Sequence, residues 1–181
     1  PDGTFPALRE ALEEAERAGR PFHVVHFNGH GIYDKEVGLG KLCFEDPADA
    51  RENKLQRRTE FVDADKLGAL LLERRVPLFV LEACQTAMAD EQVTASVAAR
   101  LLRAGVGSVL AMTHSVLVET ARRFVGCFYQ RLAAGERIGA ATVDAANYLR
   151  DDPARGPVGG HGELRLPDWF VPVLFQEEEG D

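Results

Sequence analysis

Apolar residues recur at helical spacing near the start of the chain, at Phe5, Leu8, Leu12 and Ala15, with Glu and Arg between them. That pattern predicts an amphipathic helix over Phe5–Ala18. Phe22–Phe27 (FHVVHF) is a short β-branched and aromatic run and predicts a strand. Gly40–Glu45 predicts part of a small hairpin lying beyond the main sheet. Asp63 reads as the N-cap of a helix through Arg75, which Pro77 stops. Leu78–Ala83 (LFVLEA) is the next strand, Gln92–Arg103 a small-residue helix ended by Gly105, and Ser108–Thr113 a third strand. Helices follow over Leu117–Ala133, ended by Gly135, and over Ile138–Leu149. Phe170–Phe175 predicts a last strand, placed near a sheet edge by Pro172.

Between these elements, Asp46–Glu60 carries almost no large apolar residue and reads as a long exposed loop. Gly156–Gly162 reads as a second loop. Near-continuous apolar strands alternating with helices predict an α/β domain with a mainly parallel sheet and helices on both faces. In such sheets function gathers where loops leave the carboxyl ends of the strands. Two loops qualify here: Asn28–Asp34 after the first strand and Cys84–Asp90 after the second long one.

Composition narrows the picture. The 181 residues fit one domain with a sizeable core, and no internal repeat is evident. Lys and Arg number 21 against 29 Asp and Glu, a net charge of −8, which argues against direct nucleic-acid binding. No apolar run is long enough to cross a bilayer, so no membrane association is expected. Three widely spaced cysteines, Cys43, Cys84 and Cys127, give no disulfide framework and predict a reducing, cytoplasmic setting. The chain opens with Pro1, not Met, and reads as part of a longer protein.

The two selected loops begin with the most reactive side chains in the sequence. The first strand leads into HFNGHG, which sets His30 between Gly29 and Gly31; the second ends in LEACQTA, which sets Cys84 at its tip. A thiolate nucleophile needs a nearby base, and imidazole titrates in the range that suits it. The Gly31 N–H, unshielded by a side chain, together with the Cys84 N–H, would form an oxyanion hole. Taken singly, a strand cysteine or histidine is more often structural. Cys43, Cys127, His23 and His26 fit that description, His161 reads as solvated in its Gly-rich loop, and nothing assigns His114 a task. His30 and Cys84 at two strand ends, in glycine context, point to catalysis.

The His-Gly and E-A-C segments, 54 residues apart, follow the order of caspase-like cysteine proteases. More closely, HFNGHG, LFVLEACQTA, AGVGSVLAM and FVGCFYQRLAAGERIGAA together resemble the CHAT domain, a caspase- and separase-like peptidase family. The resemblance runs from about Phe22 to Phe175 and is most specific in the two catalytic loops. It implies a caspase-like three-layer sandwich over residues 1–181, a cysteine endopeptidase acting on protein substrates, and no cofactor or metal. It assigns His30 as general base, Cys84 as nucleophile and Gly31 as oxyanion donor. CHAT domains commonly close bacterial proteins built upstream of tetratricopeptide repeats, so that region or a regulatory partner is an expected partner. Thr113-His114 departs from the family, many members of which carry Trp there.

Glu82 is the anomaly of an otherwise apolar strand, where a carboxylate is costly unless it is paired or opens onto a cleft. One reading is an ion pair with Arg74 or Arg75. The other uses its place two residues before Cys84, on the same side of the strand. In the resembling metacaspases and paracaspases an acidic residue there lines the pocket for a basic side chain before the cut, although legumain, also E-A-C, prefers Asn. Asp34 is a second candidate wall, with a turn role as its simpler reading. A dinucleotide site at GHGIYD fails because Asp34 replaces the third Gly, and a metal site at His23, His26, His30 and Cys43 fails on strand alternation. The remaining alternative is a catalytically silent CHAT-like interaction module within a larger assembly.

Overall fold

A computed structural model describes residues 3–34, 36, 38–52, 57–83, 91–113, 117–158 and 161–176. It is a mixed α/β fold in which helices flank a six-stranded sheet, consistent with a caspase-like architecture. The elements are α1 (Phe5–Arg17), β1 (Val24–Asp34), β2 (Leu39–Glu45), α2 (Pro47–Arg51), β3 (Thr59–Asp63), α3 (Ala64–Glu73) and β4 (Leu78–Ala83). There follow α4 (Glu91–Arg103), β5 (Ser108–Met112), α5 (Val118–Ala133), α6 (Ile138–Asp151), β6 (Ala154–Val158), β7 (His161–Arg165) and β8 (Pro172–Gln176). The sheet order is β3-β2-β1-β4-β5-β8, with β6 and β7 a separate hairpin. β1, β4 and β5 are parallel, whereas β1–β2 and β2–β3 are antiparallel.

The chain divides into two compact units, Pro1–Ala111 with Phe175–Asp181, and Met112–Leu174. In the first, strand alternation aims Val25 and Phe27 of β1, Leu42 and Phe44 of β2, Val62 of β3 and Phe79 and Leu81 of β4 into one core with α1, α3 and α4. Phe5 of α1 meets the Phe44 ring edge-on, centroids 5.6 Å apart, and Phe27 tilts against Phe44 at 5.3 Å. Local chemistry starts these helices where the sequence says. The Thr4 hydroxyl accepts from Ala7 N at the head of α1, and Asp63 accepts from Lys66 N at 2.7 Å at the head of α3. In the second unit α5 and α6 pack together, and a buried Arg155 holds Asp168.

Four expectations need correction. Asn28–Asp34 is no loop: it continues β1, because His30 to Asp34 pair with β2 from His30↔Cys43 to Asp34↔Leu39. Leu39–Glu45 accordingly lies within the six-stranded sheet and not beyond it. Among its described residues, Asp46–Glu60 is not loop throughout. It contains α2, whose Asp49 is buried and accepts bonds from the backbone and guanidinium of Arg58, and it runs into β3. Gly156–Gly162 falls within the β6–β7 hairpin.

Candidate active site

β1 is the strand on which the site is built, and it changes partner midway. Val24 to Gly29 pair in parallel with β4, ending at Asn28↔Glu82 and Gly29↔Ala83. From His30 onward the described partner is β2. His30 therefore follows directly on the last β1–β4 pair, on an exposed position of the strand. Cys84 follows Ala83 in sequence and lies outside the described residues, as does His114.

Alternation places His26, Asn28 and His30 on one face of β1, opposite the core face. Glu82, paired with Asn28, shares that face. Its Oε1 lies 3.5 Å from His26 Nε2, and its Oε2 accepts a bond from Asn28 Nδ2 at 3.4 Å. Each carboxylate oxygen thus faces a different β1 side chain, Asn28 through a hydrogen bond and His26 at a distance that forms an ion pair when the imidazole is protonated, while the Glu82 side chain keeps 16% of its surface exposed. The ion pair with Arg74, one of the two readings of Glu82, does not form, because that guanidinium is engaged by Glu13, Glu16 and Glu73.

Gly31 is buried and stands opposite Leu42 in the β1–β2 ladder. Gly29 is needed for a different reason. A Cβ there would lie 2.8 Å from Phe27 Cζ, so the Phe27 ring folds over the bare glycine. Asp34 closes the hairpin: its Oδ1 accepts from Glu36 N and its Oδ2 takes Lys41 Nζ at 2.8 Å, which is the turn role. Cys43 sits directly across from His30 on the same face of β2, and burial pushes its thiol pKa up. Cys127 lies on α5.

The CHAT domain, as a family sequence model, matches residues 1–171 of the chain. The chain belongs to the CHAT domain family. That family is peptidase-related, and the match spans both compact units of this CHAT domain. No curated protein matches the chain.

Two parts of this CHAT domain's site were not foreseen from the sequence. His26 and Asn28 join Glu82 because β1 runs on as a strand and sets them in register; the alternation of HFNGHGIYD carries that signal once it is read as extended. The second part is a cleft of about 580 Å³, which His30 lines together with α1, β1 and the end of β2. Among the described residues, no cluster of three or more His, Cys, Asp or Glu side chains could hold a metal ion. Nor is any described helix long and apolar enough to cross a membrane.

Proposed function

We propose that this CHAT domain is a cysteine endopeptidase that hydrolyses peptide bonds in protein substrates with a His30–Cys84 dyad. The observation that carries this reading is the parallel pair Gly29↔Ala83, since the residues that follow each partner in sequence are His30 and Cys84. In the proposed reaction the Cys84 thiol gives its proton to His30, and Sγ adds to the scissile carbonyl. The oxyanion is held by the N–H groups of Gly31 and Cys84. His30 returns the proton to the departing amine, and water then releases the acyl group from Sγ. Glu82, held by His26 and Asn28 and still in contact with solvent, suits a guanidinium or ammonium on the residue before the cut. A regulatory partner protein is part of the proposal, in a cytoplasmic setting.

The test is turnover of a protein or peptide substrate by the wild type, Cys84→Ala and His30→Ala. Each substitution is expected to lower kcat by roughly 10³-fold or more, as loss of half a nucleophile–base pair does, while the fold is retained. Cys43→Ala and Cys127→Ala are expected to keep their rate. Full turnover by Cys84→Ala would overturn the assignment, and silence of the wild type toward every substrate would favour the interaction-module reading.

A further inference from the structure

The cleft beside His30 arises where β1 and β2 part. Their ladder begins at His30↔Cys43, and beyond it the end of β2 turns to the start of the chain, with Glu45 N donating to Gly3 O at 2.9 Å. The edge of β1 not paired with β4 is left facing a space of about 580 Å³, a volume in the range of ligand sites. Ala7, Leu8 and Ala11 of α1 wall it on one side, with Val25 and Phe27 of β1 and Phe44 of β2. Leu8, Val25 and Phe27 are only partly buried, so apolar surface is presented to the cleft. Of the carboxylates and guanidinium groups that line it, Arg57 pairs with Glu45, and Arg58 with Asp46 and Asp49, while His26, Asn28 and His30 line its β1 side. Such a site offers burial to an apolar group and little to a charged one.

Its position relative to His30 says which part of a substrate would reach it. β4, which leads to Cys84, flanks one edge of β1; the cleft lies along the other. In thiol peptidase chemistry the base that took the thiol proton returns it to the leaving nitrogen. The leaving amine is therefore brought to His30, which itself lines the cleft, so the side chain attached next to that amine is the part of a substrate nearest to it. We propose that the cleft between α1, β1 and β2 receives an apolar side chain of the residue directly C-terminal to the scissile bond. This rests on the dyad reading above, and it adds a second recognition site beside that of Glu82, whose contacts His26 and Asn28 also line the cleft.

The experiment uses internally quenched peptides that differ only in the residue after the cut (Gly, Leu, Phe or Asp), with cleavage positions confirmed by mass spectrometry. The proteins are the wild type, Ala11→Leu and Ala7→Leu, each checked for an unchanged melting temperature. The wild type is expected to cleave the Leu and Phe peptides with kcat/KM about 10-fold or more above the Gly peptide, the discrimination an apolar pocket gives. Filling the cleft should bring Leu and Phe down to the Gly value and leave the Gly rate unchanged. A wild type indifferent to this residue, or a variant that slows all peptides alike, overturns the inference while leaving the dyad intact. Where none of the peptides is cleaved, the cleft is judged by binding of the same labelled peptides to the Cys84→Ala chain. Tighter binding of the Phe peptide than of the Gly peptide, lost on adding Ala11→Leu, supports the apolar site; equal binding overturns it.

Discussion

His26 Nε2 and Glu82 Oε1 stand 3.5 Å apart on neighbouring parallel strands, and with Asn28 on the second carboxylate oxygen they fix the one acidic group in β4. A carboxylate anchored in this way presents a fixed acceptor to a cation, and a charge-assisted bond of that kind is worth about 1.5–3 kcal/mol. Glu82→Gln is expected to lower kcat/KM for substrates with Arg or Lys before the cut by roughly 10- to 100-fold, with little change for neutral residues. A positional peptide library run on both proteins checks this. An unchanged profile removes Glu82 from recognition.

Gly29→Ala tests how the Phe27 ring is seated. The added Cβ would lie 2.8 Å from Cζ of that ring, whose free end can move, so the variant is expected to fold with a modest loss of stability. Because Phe27 lines the cleft, displacing its ring reshapes it, and the rate for peptides carrying a large residue after the cut should change more than the rate for Gly peptides. Parallel melting and cleavage measurements separate the two effects.

Much of the fold was legible because local signals and burial agree. The apolar run Leu78–Ala83 is β4 to the residue, Asp63 caps α3, and Gly105 and Gly135 follow α4 and α5 with positive φ. What failed was long-range pairing. NGHGIYD has the composition of a turn, yet the ladder to Leu39–Glu45 holds it extended, an effect no local propensity reports. The polar segment after Glu45 failed similarly, since Asp49 becomes a buried anchor only through Arg58, nine residues on. His30 was visible from its motif. The partners of Glu82 were not, because they depend on the register of two strands 54 residues apart in sequence.

Asp49→Ala follows from that anchor. It removes the Asp49 acceptor of Arg58 N and Nε and leaves Nη2 only Asp46, and should loosen α2 from β3. Limited proteolysis between the two elements is expected to speed up, with a drop of a few degrees in melting temperature. Protection equal to the wild type would show the contact to be dispensable.

Asp168 gives the second unit a pH signature. Burial favours its neutral acid, but hydrogen bonds from Arg155 and Thr120 and the Arg155 charge outweigh that and hold the carboxyl below the usual range. A depressed folded value means stability that is fully present above the unfolded aspartate value, about pH 3.9, and is lost as pH falls below it. Asp168→Asn should flatten the acid limb of the stability–pH curve. At neutral pH it should cost about 3 kcal/mol, the low end for breaking a buried pair, because Asp168 retains some solvent contact while the Arg155 side chain has none. Equal acid limbs in the two proteins would refute this.

The dyad itself is tested most directly by covalent capture. A peptide ending in Arg and carrying an electrophilic ketone is incubated with the chain, and the modified cysteine is mapped by mass spectrometry. The account predicts a single adduct on Cys84, strongly reduced in His30→Ala. Cys43, whose thiol burial holds protonated, and Cys127 should remain unmodified. An adduct on Cys43 or Cys127 with Cys84 free, or labelling of Cys84 that is indifferent to His30, would contradict it.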